Sequence, residues 1–317
     1  MERLMAEQEA LLAGSNAMKS LRNQTAFLTG AASGIGRSLA KSLAAQGCHL
    51  FLVDIDETRL RTLEQELATS HVRVFIRRCD ICDQTDVSKC IQEAWTSTGG
   101  IDLLINNAGI AYYGQTEFMT QTQWDRIMSV NLLAPIQITQ ELLPLMMSRE
   151  EPHIVNMCSV SGLVAGGRFA AYHTSKFGLV GFTEALRAEY GRRGVGVSAI
   201  CPGPVATQLY VSAEGPGGKT VPSPPSWMCT TPEKVAAITI KAILRNRRQV
   251  LITPTAHLAF FMKRFAPWLI DMVNQFSRKS RQQRSSVRMA AAKLYLQSIT
   301  EPTSNPSAAD DTSRRAA

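Results

Sequence analysis

The chain has 317 residues, 45% of them hydrophobic, a formal net charge of +8 and seven cysteines. That length suits one large core, since α/β folds commonly run to about 250 residues as a single domain. An odd, scattered cysteine set fits a reducing interior better than a disulfide framework. No uncharged apolar stretch reaches the roughly 18 residues of a membrane span, and the acidic start MERLMAEQEALLAG lacks a signal-peptide core, so a cytoplasmic protein is expected.

After a helical leader over residues 1–22, Thr25 to Leu28 is a short apolar run suited to a buried strand. It leads into Thr29-Gly30-Ala31-Ala32-Ser33-Gly34-Ile35-Gly36 and a helical pattern from Arg37 to Gln46. A strand, a glycine-rich turn and a helix form the setting of a phosphate-cradling loop: glycines let the backbone approach, and a helix N-terminus offers free N–H groups. The same turn would also serve as an ordinary strand-to-helix loop. The second strand, His49 to Val53, ends in Asp54, where a carboxylate accepts from adenosine ribose hydroxyls and repels a 2′-phosphate. Ile55 and Asp56 follow rather than a basic residue, which favours NAD over NADP. Arg37 is the residue that would argue otherwise, though it suits a solvated first turn equally.

A helix from Glu57 to Ala68, a strand Val72 to Arg77, a helix Gln84 to Thr98 and a strand Leu103 to Ile105 continue the alternation expected of a parallel sheet. Cys79 and Cys82 form a C-x-x-C, but no second pair or nearby histidines complete a metal site, so no metal is expected. Asp80-Ile81 and Asn106-Asn107-Ala108-Gly109 each fall just past a strand end, the edge where doubly wound sheets bind ligands.

The strand His153 to Met157 delivers Ser159, and thirteen residues on, a helix from Ala171 to Tyr190 carries Tyr172 and Lys176 one turn apart on one face. A free phenol ionises near pH 10. An ammonium roughly 4–5 Å away, at an effective dielectric of about 20, favours the phenolate by about 3–4 kcal/mol. Tyr172 would then act as a general base, with Ser159 donating to the substrate oxygen. A tyrosine and a lysine on a solvated helix face would give the same pattern.

Together these stretches resemble the classical short-chain dehydrogenase/reductases. The resemblance rests on the T-G-x3-G-x-G loop at Thr29 to Gly36, N-N-A-G at Asn106 to Gly109, Ser159, the Y-x3-K at Tyr172 and Lys176, and P-G-x-V-x-T at Pro202 to Thr207, in order over roughly residues 24–252. It implies a doubly wound Rossmann fold of three αβα layers and oxidation of a secondary alcohol. Catalysis would rest on Asn131, Ser159, Tyr172 and Lys176, with Asn131 lying on a helix that begins near Trp124 and holding a water linked to Lys176. The dinucleotide would meet Gly30, Ser33, Gly34, Ile35, Gly36, Asp54, Asp80 and Ile81. Asn107 would support the central strands, Val205 and Thr207 would meet the nicotinamide end, and Tyr172 and Lys176 the nicotinamide ribose. The implied assembly is a homo-oligomer, with Gly178 and Gly181 permitting a close helix contact between subunits.

Residues Gln208 to Thr231 are rich in Gly and Pro with apolar ends, which suggests a lid over a hydrophobic small-molecule substrate such as a lipid or steroid. A helix Pro232 to Leu244 and a strand Val250 to Ile252 close the catalytic domain, residues 23–256. From His257 to Arg284 an apolar stripe with basic flanks reads as one helix bent at Pro267. It would lie on a membrane surface, cover the pocket or pack on a second subunit. The tail, 285–317, is expected to be mostly disordered. No nucleic-acid partner is expected. An NADPH-dependent ketoreductase and a dinucleotide-binding scaffold or sensor without turnover are the alternatives.

Overall fold

The computed structural model of the chain describes residues 17–207, 209 and 224–276, with side chains as far as 272. Seven strands form one sheet: β1 (Thr25–Thr29), β2 (His49–Asp54), β3 (Val74–Arg78), β4 (Leu103–Asn106), β5 (His153–Met157), β6 (Gly196–Cys201) and β7 (Gln249–Leu251). Their order is β3-β2-β1-β4-β5-β6-β7 and every pairing is parallel. A parallel sheet is covered by helices on both faces, so its central strands carry no polar alternation. β1, β4, β5 and β6 are buried at every position accordingly.

The helices are α1 (Gly34–Ala45), α2 (Glu57–Leu67), α3 (Gln84–Thr98), α4 (Gln121–Met128), α5 (Ala134–Met146), α6 (Ala170–Tyr190), α7 (Pro232–Leu244), α8 (Pro254–Phe265) and α9 (Pro267–Phe276). Local chemistry sets many of their ends. Asp56 and Asp83 accept backbone N–H bonds at the starts of α2 and α3, and Thr120 with Gln123 forms a capping box on α4. Pro232 and Pro254 occupy first-turn positions, where the missing N–H costs nothing. One apolar cluster, including Leu28, Leu39, Leu50 and Val235, fills one side of the sheet, and a second, with Phe27, Phe51, Ile91, Leu104 and Ile154, fills the other. Met18 and Leu21 of the leader are buried in the first cluster.

Three expectations change. Asn131 lies on a π-helical turn, Ser129–Leu133, inserted between α4 and α5, and α4 begins at Gln121. The C-terminal stripe forms two helices, because Ala266 before Pro267 leaves the helical region at φ −143°. Gly178 meets Leu132 of its own chain: a Cβ there would sit 2.8 Å from Leu132 Cδ2, while Gly181 has nothing within 4 Å. Residues 1–16, 208, 210–223 and 277–317 lie outside the described residues, and with them most of the leader, lid and tail. The described residues as far as Ile270 make up one compact unit. No described helix is long and apolar enough to cross a membrane.

Buried polar groups tie the central strands. Asn106 Nδ2 donates to Asn156 Oδ1 at 2.9 Å and to Thr139 Oγ1 at 3.1 Å, and Asn156 Nδ2 donates to Thr183 Oγ1 on α6. His153, at the start of β5, is fully buried with Nε2 3.0 Å from the Ser198 hydroxyl, which itself donates to the Arg247 carbonyl. Burial, aided by the Arg187 charge, lowers its pKa to about 3. The unfolded chain takes up this proton near pH 6.5, so His153 stabilises the fold fully above that pH and progressively less as the pH falls toward 3, by roughly 4 kcal/mol at the lower end. His153→Gln, which keeps a neutral donor near Ser198, should therefore flatten the loss of stability between pH 6.5 and pH 4 in urea titrations. Identical slopes for variant and wild type would contradict this.

Candidate active site

The glycine loop and the end of β4 are locked together. Thr29 Oγ1 accepts from the backbone N–H groups of Asn107 (3.0 Å) and Ala108 (3.1 Å), and Asn107 Nδ2 donates to the carbonyls of Thr29 and Gly30, both at 3.0 Å. Gly30 has φ +65°, and a Cβ there would stand 2.7 Å from Ala108 Cα. Gly36 admits no side chain either, since its Cβ would fall 1.9 Å from the Gly30 carbonyl oxygen. The turn thus brings the N-terminus of α1 against the mouth of β4. Ser33, its N-cap, makes no side-chain capping bond and the first turn holds no acidic residue, so the helix end is left to an anion.

Asp54 ends β2 at one end of the same cleft. Its Oδ2 accepts from Ala32 N at 2.9 Å and its Oδ1 from Asp56 N at 3.1 Å. These bonds brace the glycine loop and the start of α2 while leaving each carboxylate oxygen further acceptor capacity. Arg37 points elsewhere: its guanidinium pairs with Glu66, which also holds Lys41, and it does not line the cleft.

At the other end, Ser159 stands just past β5 with its hydroxyl accepting from Ser161 N at 3.0 Å. Tyr172 is half-buried in the first turn of α6, and the Lys176 Nζ lies 5.9 Å from its ring centre. Lys176 is buried, donates to the Met157 carbonyl at 2.8 Å, and has its pKa lowered by that burial. Asn131 is fully buried behind it. Its amide grips Ile110 on both sides, Oδ1 accepting from Ile110 N and Nδ2 donating to Ile110 O, each at 2.9 Å, and Nδ2 also reaches Ser175 Oγ at 3.1 Å. Gly109 lies in this corner, where a Cβ would be 3.4 Å from Asn131 Oδ1 and 3.7 Å from Lys176 Nζ.

One cavity of about 770 Å³ runs between these ends. It is lined by every residue expected to hold a dinucleotide except Gly36, and by Ser159, Tyr172 and Lys176. Asn131 stands behind its wall. A cradle in which side chains at Gly30 and Gly36 would clash, an anion-ready helix end and a terminal carboxylate fit a dinucleotide. Beyond Tyr172 the walls are apolar: Tyr113, Phe169 and Leu209 pack with Tyr172, and Met228 closes the side. The Tyr113 and Phe169 rings meet at a tilt of 57° with centres 4.9 Å apart, and the Arg168 guanidinium lies 5.6 Å over the Tyr113 ring.

Sequence reading weighed Cys82 only as half of a C-x-x-C and passed over Arg126, which with it lines the Asp80 end, and His173. His173 Nδ1 lies 2.9 Å from the Ser161 carbonyl, which can only accept, and Nε2 accepts from Gly166 N at 3.0 Å. The ring is thus a neutral strut across the loop after Ser159, and burial lowers its pKa. Its place beside Tyr172 in sequence was the only signal available.

A doubly wound parallel sheet with a glycine cradle and a Ser-Tyr-Lys group at its carboxyl edge defines a dinucleotide-dependent oxidoreductase. Comparison with known proteins agrees. The profile of the short chain dehydrogenases matches residues 24–215. The chain is 33% identical over 277 residues to dehydrogenase/reductase SDR family member 7B of Xenopus laevis, covering 82% of this chain and 84% of that one. It is 35% identical over 189 residues to D-beta-hydroxybutyrate dehydrogenase of Cupriavidus necator, covering 60% and 73%. A short chain dehydrogenase/reductase from Burkholderia phymatum, solved in complex with NAD, superposes with a TM-score of 0.71 at 26% identity, covering 80% of this chain and 96% of that one. The chain belongs to the short-chain dehydrogenase family, whose members act on CH–OH groups with NAD or NADP.

The cradle geometry is testable by calorimetry. Gly30→Ala adds a Cβ against Ala108 Cα at a positive φ, and should cost about 1–3 kcal/mol, lowering the melting temperature by several degrees. An unchanged melting temperature would contradict the close approach.

Proposed function

We propose that the chain is an NAD-dependent dehydrogenase that oxidises a secondary alcohol on a hydrophobic small molecule. The observation that carries this reading is the single cavity joining Asp54 and the α1 cradle to Ser159, Tyr172 and Lys176 through an aromatic wall. When bound, NAD supplies the hydride acceptor. Gly30, Ser33, Gly34 and Ile35 hold the pyrophosphate at the start of α1, with Gly36 giving the turn its closeness. Asp54 accepts from the adenosine ribose, while Asp80 and Ile81 flank the adenine. Asn107 supports the cradle, and Val205 and Thr207 bound the nicotinamide end.

In catalysis Tyr172 takes the substrate hydroxyl proton as the carbinol C–H bond breaks, and Ser159 donates to the oxygen that becomes the carbonyl. Lys176 adds positive charge on the Tyr172 side and reaches the nicotinamide ribose. Asn131 positions Ile110 and the wall behind Lys176, a role of placement through its amide grip. Asp54 in the cleft and Arg37 tied to Glu66 support NAD over NADP. Residues 23–256 form the catalytic domain in this reading, with 257–284 an extension. An NADPH-dependent ketoreductase would use the same residues in reverse; Arg37 is tied to Glu66 and does not line the cavity, and the basic side chain at the Asp80 end is Arg126.

Two measurements test the reading. Tyr172→Phe should lower kcat by at least about a hundredfold with secondary-alcohol substrates while leaving NAD affinity nearly unchanged, and full activity would overturn the assignment. Asp54→Ser should raise kcat/KM with NADP relative to NAD by about tenfold or more, because it removes a carboxylate from the position of a 2′-phosphate. A wild-type enzyme that already prefers NADP would overturn the role given to Asp54.

A further inference from the structure

α8 has two unlike sides. Its inner side is committed to the catalytic domain: Ala256 is buried, and Lys263 Nζ donates to the Leu163 carbonyl at 2.6 Å, with the ammonium 4.3 Å over the Phe177 ring. Leu163 belongs to the loop after Ser159 and Phe177 follows Lys176, so the helix is pinned to the catalytic segment. The opposite side carries Leu258, Phe261 and Phe265 at helical spacing, exposed by 62%, 59% and 66%, and Trp268 in the next helix is 62% exposed. Phe261 and Phe265 pack their rings on each other at 4.4 Å. None of the four lines the cavity, so this stripe is not a cover for the pocket.

Large aromatic and aliphatic side chains that face neither core nor cavity need another explanation, since isolated exposed hydrophobics are ordinary but a contiguous row is not. The charge carried by this stretch of the sequence indicates what covers it. In sequence, residues 257–284 hold Arg264, Arg278, Lys279, Arg281 and Arg284, besides Lys263 on the inner side, against Asp271 alone, so most of the net charge of +8 falls in this stretch. Phe, Leu and Trp on one face with flanking Lys and Arg is the composition that settles at the headgroup boundary of an anionic bilayer. Aromatic side chains favour that boundary.

We infer that the outer face of α8, with Leu258, Phe261 and Phe265, together with Trp268 of α9, docks this protein on an anionic membrane surface. The inference is independent of the cofactor and substrate assigned above.

Co-sedimentation of the full chain at low salt with phosphatidylcholine vesicles, and with vesicles that also contain phosphatidylserine, tests it. The chain should partition onto the anionic vesicles, less onto the neutral ones, and less again as salt is raised. Phe261→Ser with Phe265→Ser should reduce binding to the anionic vesicles by about tenfold or more, as should Leu258→Asp alone, with circular dichroism and turnover of a water-soluble alcohol unchanged. Trp268 emission should shift to the blue on vesicle addition. Failure of the full chain to bind anionic vesicles, equal binding to neutral ones, or wild-type binding by both variants would overturn the inference. So would variants that change only the sedimentation-velocity mass of the protein, an outcome that would assign the face to a second copy of the chain.

Discussion

The bond set that joins Thr29 to Asn107 is the constraint on which the site depends. β1 and β4 are neighbours in the sheet, but the chain leaves β1 toward β2 and β3 and leaves β4 toward β5 and β6. The loops after these strands therefore diverge, which opens the crevice where ligands of doubly wound sheets bind. Divergent loops would also be free to move apart. The Thr29 hydroxyl and the Asn107 amide prevent this by satisfying two N–H groups and two carbonyls across the gap. Such bonds contribute modestly when made, but leaving their partly buried partners unsatisfied costs more. A rigid floor results, with the α1 cradle on one side and the catalytic corner on the other.

The catalytic corner uses the same device. Lys176 is buried yet satisfied by the Met157 carbonyl, and Asn131 fastens Ile110, the residue after the N-N-A-G stretch, to α6 through Ser175. His173 spans the loop after Ser159 as a neutral strut. The catalytic corner is thus held by backbone carbonyls and amides at and after the ends of two strands, β4 and β5, so its placement follows from the sheet. Burial of Lys176 works against its charge, which tempers the simple picture of an ammonium beside a phenol; the carbonyl of Met157 offsets part of that cost.

Most of this fold could be read from residue order. Buried parallel strands are unbroken apolar runs, and the caps Asp56, Asp83, Thr231 and Thr253 mark helix starts where periodicity begins. β5 and α7 fall at the residues expected from pattern alone. The order of Gly30, Asp54, Asn107, Ser159, Tyr172 and Lys176 in the sequence points to one cleft, and all six line one cavity. The π turn at Asn131 was not legible, because one added residue per turn leaves no trace in hydrophobic spacing and depends on the Ile110 contact. Nor was the commitment of Arg37 to Glu66, a contact between α1 and α2 that hydrophobic spacing does not specify. Gly178 looked like an intersubunit contact because a small residue declares space without naming the neighbour, here Leu132.

The most direct test of the central claim is the affinity of Asn107→Ala for NAD, measured by isothermal titration alongside wild type. Asp54, Tyr172 and Lys176 remain in place in this variant, and only the tie between the two halves of the cleft is cut. The account predicts binding weaker by about tenfold or more, in a protein that keeps its far-UV circular dichroism. Wild-type affinity in a folded Asn107→Ala protein would contradict it.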